Sequence, residues 1–185
     1  VTDSKLNIER IKPEELSDLQ AICKTTFIET FAHQNTTEDM ELYLQLNFNA
    51  ERLTEEISNP ESEFYGARKD GAIAGYLKLN FGQAQNELRD QNGLEIERIY
   101  VLKKFQGKQI GQSLYQKACA VAQARQASFI WLGVWEKNFK AQHFYKKNGF
   151  VAFSQHLFIL GEDEQVDILM KRSLPIDPAK PANRF

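Results

Sequence analysis

Residues 99–114 read IYVLKKFQGKQIGQSL, and the rest of the chain is interpreted outward from them. An alternating strand, LEIERIYV at 94–101, runs out into a short basic turn holding Gly107, and a helix enters at Gly111. The first amides of a helix have no acceptor inside it. Here they gather at the end of a strand, under the positive end of the helix dipole. Lys103, Lys104 and Lys108 add charge nearby. A phosphate or pyrophosphate is a natural guest for such a turn. A tight turn that needs glycine for its own sake explains the segment equally well. No Lys-Ser/Thr pair follows the second glycine, so this is not a Walker A loop, and it is not GxGxxG either.

Upstream, Leu6, Ile8 and Arg10 alternate as in a strand. Pro13, Glu14 and Glu15 suit a helix start, and Leu16, Leu19, Ile22, Cys23 and Phe27 predict a helix over 13–31. Thr37 is expected to cap a second helix carrying Met40, Leu42, Tyr43 and Leu46, and a third spans Ala50–Ser58 before Asn59-Pro60. The period then changes to that of strands at 63–68 and 72–79, joined by a hairpin at Asp70-Gly71. The polar stretch GQAQNELRDQNG, 82–93, reads as a loop. Downstream, Ile110, Leu114, Ala118, Val121 and Ala122 share a helix face. The continuous apolar run Phe129–Trp135 predicts a strand buried on both faces. Residues 138–147 form a helix with Ala141, Phe144, Tyr145 and Asn148 on one side and Asn148-Gly149 as its C-cap. Strands are expected near 150–158 and 166–171. The pattern is α/β (α+β) in one domain over 1–174, with 175–185 as a proline-bearing tail.

The length of 185 residues fits one domain, and 42% hydrophobic with 26% charged residues is ordinary for a globular chain. A formal net charge of −2 argues against a nucleic-acid partner. Cys23 and Cys119 form no CxxC pair and are expected as two buried thiols. The histidines, His33, His143 and His156, lack metal-ligand spacing, so no metal is expected. The polar start VTDSKLNIER and the shortness of the longest apolar run predict no membrane partner and a cytoplasmic protein.

Gln106-Gly107-Lys108-Gln109-Ile110-Gly111 resembles the cofactor loop of the GNAT N-acetyltransferases, Gln/Arg-x-x-Gly-x-Gly/Ala, with Gln109 standing where the pattern has glycine. Its side chain either crowds a pyrophosphate or points outward from the first helical turn. WLGVWEKNFKAQHFYKKNGF, 131–150, is similar to the family's strand followed by Asn-x-x-Ala-x-x-Phe-Tyr-x-x-x-Gly-Phe. ETF at 29–31, LEIERIYV and GEDEQVDILM resemble the PaiA-type bacterial spermidine/spermine N-acetyltransferases in particular. The resemblance runs from about Leu6 to Leu174. It implies the GNAT acyl-CoA N-acyltransferase fold, a mixed, mostly antiparallel sheet splayed at the cofactor site and flanked by helices. It implies direct acetyl transfer from acetyl-CoA to a small-molecule primary amine, a polyamine such as spermidine or spermine. It leaves room for a homodimer.

Carried over residue by residue, the resemblance assigns the pyrophosphate to Gln106, Gly107, Lys108, Gln109, Ile110, Gly111 and Gln112. It assigns the pantetheine arm and an oxyanion to the backbone of Ile99, Tyr100 and Val101. Asn138 matches the family asparagine that contacts the cofactor, although it is equally suited to cap a helix, and Lys147 is expected within reach of the cofactor phosphates. An alkylamine has a pKa near ~10.4, so a base must take its proton. Glu97, acidic in an apolar strand beside that edge, is the expected base, with burial raising its pKa; Glu95 on the same face is the alternate. Tyr145 matches the family's tyrosine, as general acid to the leaving thiolate or as a positioner of the sulfur. The amine pocket is expected from the N-terminal helices and the 82–93 loop, with Glu29, His33, Glu38, Asp39 and Glu41 as sources of negative field, although a solvated acidic face is the plainer reading of most. The alternatives are a peptide, lysine or antibiotic amine as acceptor, or a non-catalytic acyl-CoA-binding module on the same fold.

Overall fold

The computed structural model describes residues 5–160 and 163–175, with the side chains of 158–160 and 163 left aside. All of the expected tail after Pro175, and the start of GEDEQVDILM, lie outside the described residues. The described strands form one seven-stranded sheet: β1 (Asn7–Arg10), β2 (Ser62–Lys69), β3 (Ala72–Asn80), β4 (Gly93–Val101), β5 (Phe129–Trp135), β6 (Val151–Leu160) and β7 (Asp163–Ser173). Their order is β1-β2-β3-β4-β5-β7-β6, antiparallel throughout except for the parallel pair β4–β5. The helices are α1 (Leu16–Phe31), α2 (Thr37–Asn47), α3 (Ala50–Ser58), α4 (Ile110–Ala124) and α5 (Phe139–Lys147).

Each element begins where local chemistry allows. Residues 13–15 form a 3-10 turn with proline at its start, and α1 follows directly. The cap of α2 is Thr36 and not Thr37: the Thr36 side chain accepts from the Asp39 amide at 3.1 Å, and Thr37 is the first helical residue. Asp70 and Gly71 both have positive φ, 54° and 80°, the twist a two-residue hairpin needs. Gly149, at φ 86°, ends α5 as anticipated.

The sheet separates two cores. On one face α1, α2 and α3 bury Leu19, Phe27, Phe48 and Leu53 against Phe64 and Tyr76. On the other, α4 and α5 bury Leu114, Ala118 and Tyr145 against Leu77, Ile96, Leu132 and Phe150. Full burial of one such side chain stabilises by roughly 2 kcal/mol. Cys23 lies in the first core, but Cys119 is only half-buried, which corrects the expectation of two buried thiols.

Two irregularities in β4 set up everything that follows. A bulge lies between its pairs Leu79↔Ile96 and Lys78↔Arg98, so Glu97 has no partner of its own on β3. Adjacent residues Glu97 and Arg98 therefore both reach the face of Lys78, where strict alternation would have put them on opposite faces. On its other side β4 pairs with β5 through Gly93, Leu94 and Glu95 only. Beyond Glu95 the two strands part, so the sheet is splayed as expected. β5 is mostly buried, with Gly133 exposed in the opening. Where β3 and β4 remain close, Gly75 is obligatory: a Cβ there would sit 2.6 Å from the Tyr100 carbonyl oxygen.

Candidate active site

The parting of β4 and β5 opens a cleft of about 830 Å³. One end is the turn before α4. Gly107 and Gln109 both have positive φ, 77° and 62°, which bends the chain so that α4 starts abruptly. The first intrahelical bond runs from the Ser113 amide to the Gln109 carbonyl at 3.0 Å, so the amides of Ile110, Gly111 and Gln112 precede it and are left to the cleft. A Cβ at Gly111 would meet only Val101 Cγ2, at 3.9 Å, and one at Gly107 would meet nothing within 4 Å. The turn is thus an open cradle of donors, the shape a diphosphate fits.

Gln109 takes the left-handed backbone that a glycine adopts freely. Its residue is exposed, and among the described residues its side chain makes no hydrogen bond, so it does not occupy the first-turn amides. Gln106 is engaged twice: Nε2 donates to the Val101 carbonyl at 3.1 Å and Oε1 accepts from Lys140 Nζ at 2.7 Å. Lys140 lines the cleft and was not singled out in the sequence, whereas Lys108 and Lys147 are exposed and lie outside the lining. Asn138 lines it and also caps α5, accepting from the Ala141 amide at 3.1 Å, so both of its readings hold together.

The open edge of β4 is the second wall. The Leu102 amide donates to the Ala74 carbonyl at 2.9 Å, toward β3. Alternation then turns the Tyr100 amide toward β3 as well and leaves the amides of Ile99 and Val101 facing the cleft. The expected trio is thereby corrected: Ile99 and Val101 have free donors, and Tyr100 offers its ring.

At the bottom lies Glu95, 3% exposed. Gln85 holds the loop that covers it, accepting from Trp131 Nε1 at 2.6 Å and donating to the Gly82 and Asp90 carbonyls. That loop delivers Asn86, whose amide and Nδ2 donate to Glu95 at 3.0 and 2.7 Å, while Asn80 Nδ2 adds a third bond at 3.0 Å. Burial and the neighbouring charge of Glu97 lift the Glu95 carboxyl to about 7, against the pull of those three bonds. Glu97 behaves oppositely to expectation. Burial would raise it, but Arg98 and Lys78, at 2.9 and 2.6 Å, outweigh that and hold it at about 2. A carboxylate so stabilised is a poor proton acceptor at neutral pH.

Tyr145 is 7% exposed and lines the cleft between α5 and the sheet. Burial raises its phenol well above the ordinary value. The far end is walled by aromatic rings: Phe27 stacks on Tyr43 at 4.3 Å, and Phe31 leans on Trp135 at 5.9 Å. Asp167, Glu87 and His156 complete it. Burial lifts the Asp167 carboxyl to about 6, and among the described residues it has no hydrogen-bond or ion-pair partner. Of the acidic set expected from the N-terminal helices only Glu29 lines the cleft, and its Oε2 accepts from the Lys103 amide at 2.7 Å. His33, Glu38, Asp39 and Glu41 do not line it.

Residues 20–150 match the model of the acetyltransferase (GNAT) family. The chain is 43% identical over 169 residues, 91% of it and 98% of the relative, to a protein of Lactobacillus delbrueckii subsp. lactis described as an uncharacterized N-acetyltransferase in the pepI 3′ region. It is 26% identical over 149 residues, 78% of it and 88% of the relative, to the spermidine N(1)-acetyltransferase of Thermoplasma acidophilum. Its fold matches the crystal structure of the PaiA N-acetyltransferase from Thermoplasma acidophilum in complex with coenzyme A, at a TM-score of 0.76 and 24% identity over 92% of this chain and 99% of that one. The splayed sheet, the amide cradle and these likenesses agree: the chain belongs to the GNAT family and is an N-acetyltransferase.

Proposed function

We propose that this acetyltransferase takes acetyl-CoA as donor and a polyamine such as spermidine or spermine as acceptor. Acetyl-CoA supplies the activated acyl group. The amides of Ile110, Gly111 and Gln112 and the ammonium of Lys140 hold its diphosphate end, and the open edge at Ile99 and Val101 takes the pantetheine and polarises the acyl oxygen. Glu95 accepts the proton of the incoming ammonium, directly or through a water. At neutral pH only roughly one alkylamine in a thousand is uncharged, so the base is needed, and a carboxyl near 7 is poised for it. Tyr145 keeps its proton throughout the working range and donates a hydrogen bond to the leaving sulfur. Full transfer from a phenol raised above ~10 to a thiolate of pKa ~8.5 is uphill, which favours positioning over acid catalysis.

The observation that carries the polyamine reading is Asp167, a carboxylate in the cleft with no hydrogen bond or ion pair among the described residues and only the His156 imidazole as an opposing group, beside Glu87 and an aromatic wall. A second ammonium of the substrate supplies the direct ion pair that Asp167 lacks. The relative named as a spermidine acetyltransferase supports the same substrate class. Thiol release from acetyl-CoA in the presence of an amine panel tests it. Spermidine is expected to exceed monoamines and lysine peptides in kcat/KM, and Asp167→Asn to raise KM for spermidine about tenfold while sparing a monoamine, as for one charge-assisted contact of roughly 1.5 kcal/mol. No preference for polyamines in the panel would overturn the assignment.

A further inference from the structure

Beside Glu95 lies a group of buried charges that the acyl transfer itself leaves unused. Lys78 Nζ is 2.6 Å from Glu97 Oε2 and 3.0 Å from Glu56 Oε2. Arg98 grips Glu56 with two bonds, at 2.9 and 3.0 Å, and reaches Glu97 Oε1 at 2.9 Å. Arg52 joins from the rim, 3.2 Å from Glu56. Three elements contribute: Glu56 from α3, Lys78 from β3, Glu97 and Arg98 from the bulge of β4. Ion pairs buried to this degree are often no more stable than apolar side chains of the same volume, so stability is a weak account of the cluster.

Asn80 connects it to the base. Its Oδ1 accepts from Ser62 Oγ at 3.0 Å, which fixes the way the amide faces. Its Nδ2 then donates to Glu95 Oε2 at 3.0 Å and to Glu97 Oε2 at 2.5 Å. The two carboxylates share one amide group, one kept ionised by two cations and the other held by neutral donors alone. We propose that Glu97 is a positioning residue for Glu95: anchored as an anion by Lys78 and Arg98 and tied through Asn80, it keeps the base proton-accepting by opposing a second negative charge beside it. This rests on the reading of Glu95 as the base.

The charges facing Glu95 from each side act as follows. Glu97 lies nearest on β4, and its field raises the affinity of Glu95 for a proton. Lys78 and Arg98 act the other way, and Glu56 and Glu97 cancel them. Glu87 of the covering loop, with Asp167 on β7 and His156 on β6, stands across the cleft. Removing Glu97 deletes a like charge and uncovers two cations, and both changes weaken the base. Removing Lys78 has the opposite sign.

The test follows the pH dependence of kcat and, independently of turnover, the titration of Glu95 by carbon-13 NMR of δ-labelled glutamate. Glu97→Gln is expected to move both midpoints down by about one pH unit or more. Lys78→Met moves them up, and Glu97→Asp leaves them near the wild type. If either single variant fails to fold, the double variant Glu97→Gln/Lys78→Met, which removes one charge of each sign, is expected to restore a midpoint between those extremes. An unmoved Glu95 midpoint in Glu97→Gln overturns the inference. Full kcat in Glu95→Gln would instead overturn the base assignment, while the NMR titration would still decide whether Glu97 controls Glu95.

Discussion

Replacing Glu95 by glutamine should make the enzyme slower and, at alkaline pH only, more stable. The side chain is buried at the bottom of the cleft and its carboxyl stands at about 7 against an ordinary 4.5. A carboxyl whose folded value is raised holds its proton more tightly in the native state. Its contribution is therefore fully favourable below 4.5 and is lost as pH rises through about 7. Above pH 8 the native state carries an ionised group that the unfolded chain hydrates better, a cost of ~3 kcal/mol. Glutamine removes that cost. It also sacrifices one of the three hydrogen bonds from Asn80 and Asn86, unless Asn86 turns its amide, for ~1 kcal/mol. The net expectation at pH 8.5 is a gain of ~2 kcal/mol, a rise in Tm of roughly 4–8 °C for a chain of this size. At pH 5 the gain should vanish. Activity should fall ~10²–10⁴-fold in kcat, the range for losing a general base. Thermal unfolding at both pH values, beside steady-state thiol release, reads all of this. The same Tm change at pH 5 and pH 8.5 would refute the buried, raised carboxyl, and undiminished kcat would refute its role.

Two further substitutions probe the rest of the cleft. Tyr145→Phe removes a donor to a sulfur that gains charge, worth ~1.5–3 kcal/mol, so kcat should drop roughly 10–100-fold with KM for acetyl-CoA little changed, and an unaltered kcat would discard the role. Because burial holds the phenol above its ordinary value, no alkaline limb below pH 10 should disappear with it. Gln109→Gly releases a left-handed backbone at φ 62°, which costs a non-glycine residue ~1–2 kcal/mol, partly offset by glycine's freedom when unfolded. A net stabilisation of ~1 kcal/mol and a Tm rise of roughly 2–4 °C are expected by calorimetry; a lower Tm would mean that the glutamine side chain holds the turn together.

Periodicity located nearly every element, because each strand and helix buries one face or two and its apolar residues repeat accordingly. Ala50–Ser58 and Phe129–Trp135 came out with the very bounds their composition suggested. Thr36 caps α2 in place of Thr37 because neighbouring threonines share the same capping chemistry and the sequence alone does not separate them. The site was legible only where local geometry makes it. The cradle at Gly107 and Gly111 belongs to one turn, and Asn138 to one helix start. Lys78 and Asn80 do carry a sequence signal: polar residues at alternate positions of an apolar strand, AGYLKLNF, demand buried partners. Asp167 and Glu87 left none, since their meeting depends on β7 and the covering loop closing over the same cleft.

The amino-acid sequence by itself determined the α/β pattern, the amide-rich turn at the end of β4 and the family, because these rest on contacts within a few residues. Which carboxylate is suited to take a proton was decided only by tertiary structure. Glu95 and Glu97 are equivalent along the strand, two residues apart on one face. A bulge in β4, a lysine from β3 and the adjacent Arg98 hold Glu97 as an anion, while Asn80 from β3 and Asn86 from the covering loop give Glu95 neutral donors alone. Protonation follows the field of groups brought together from across the fold, and no stretch of chain carries that field alone.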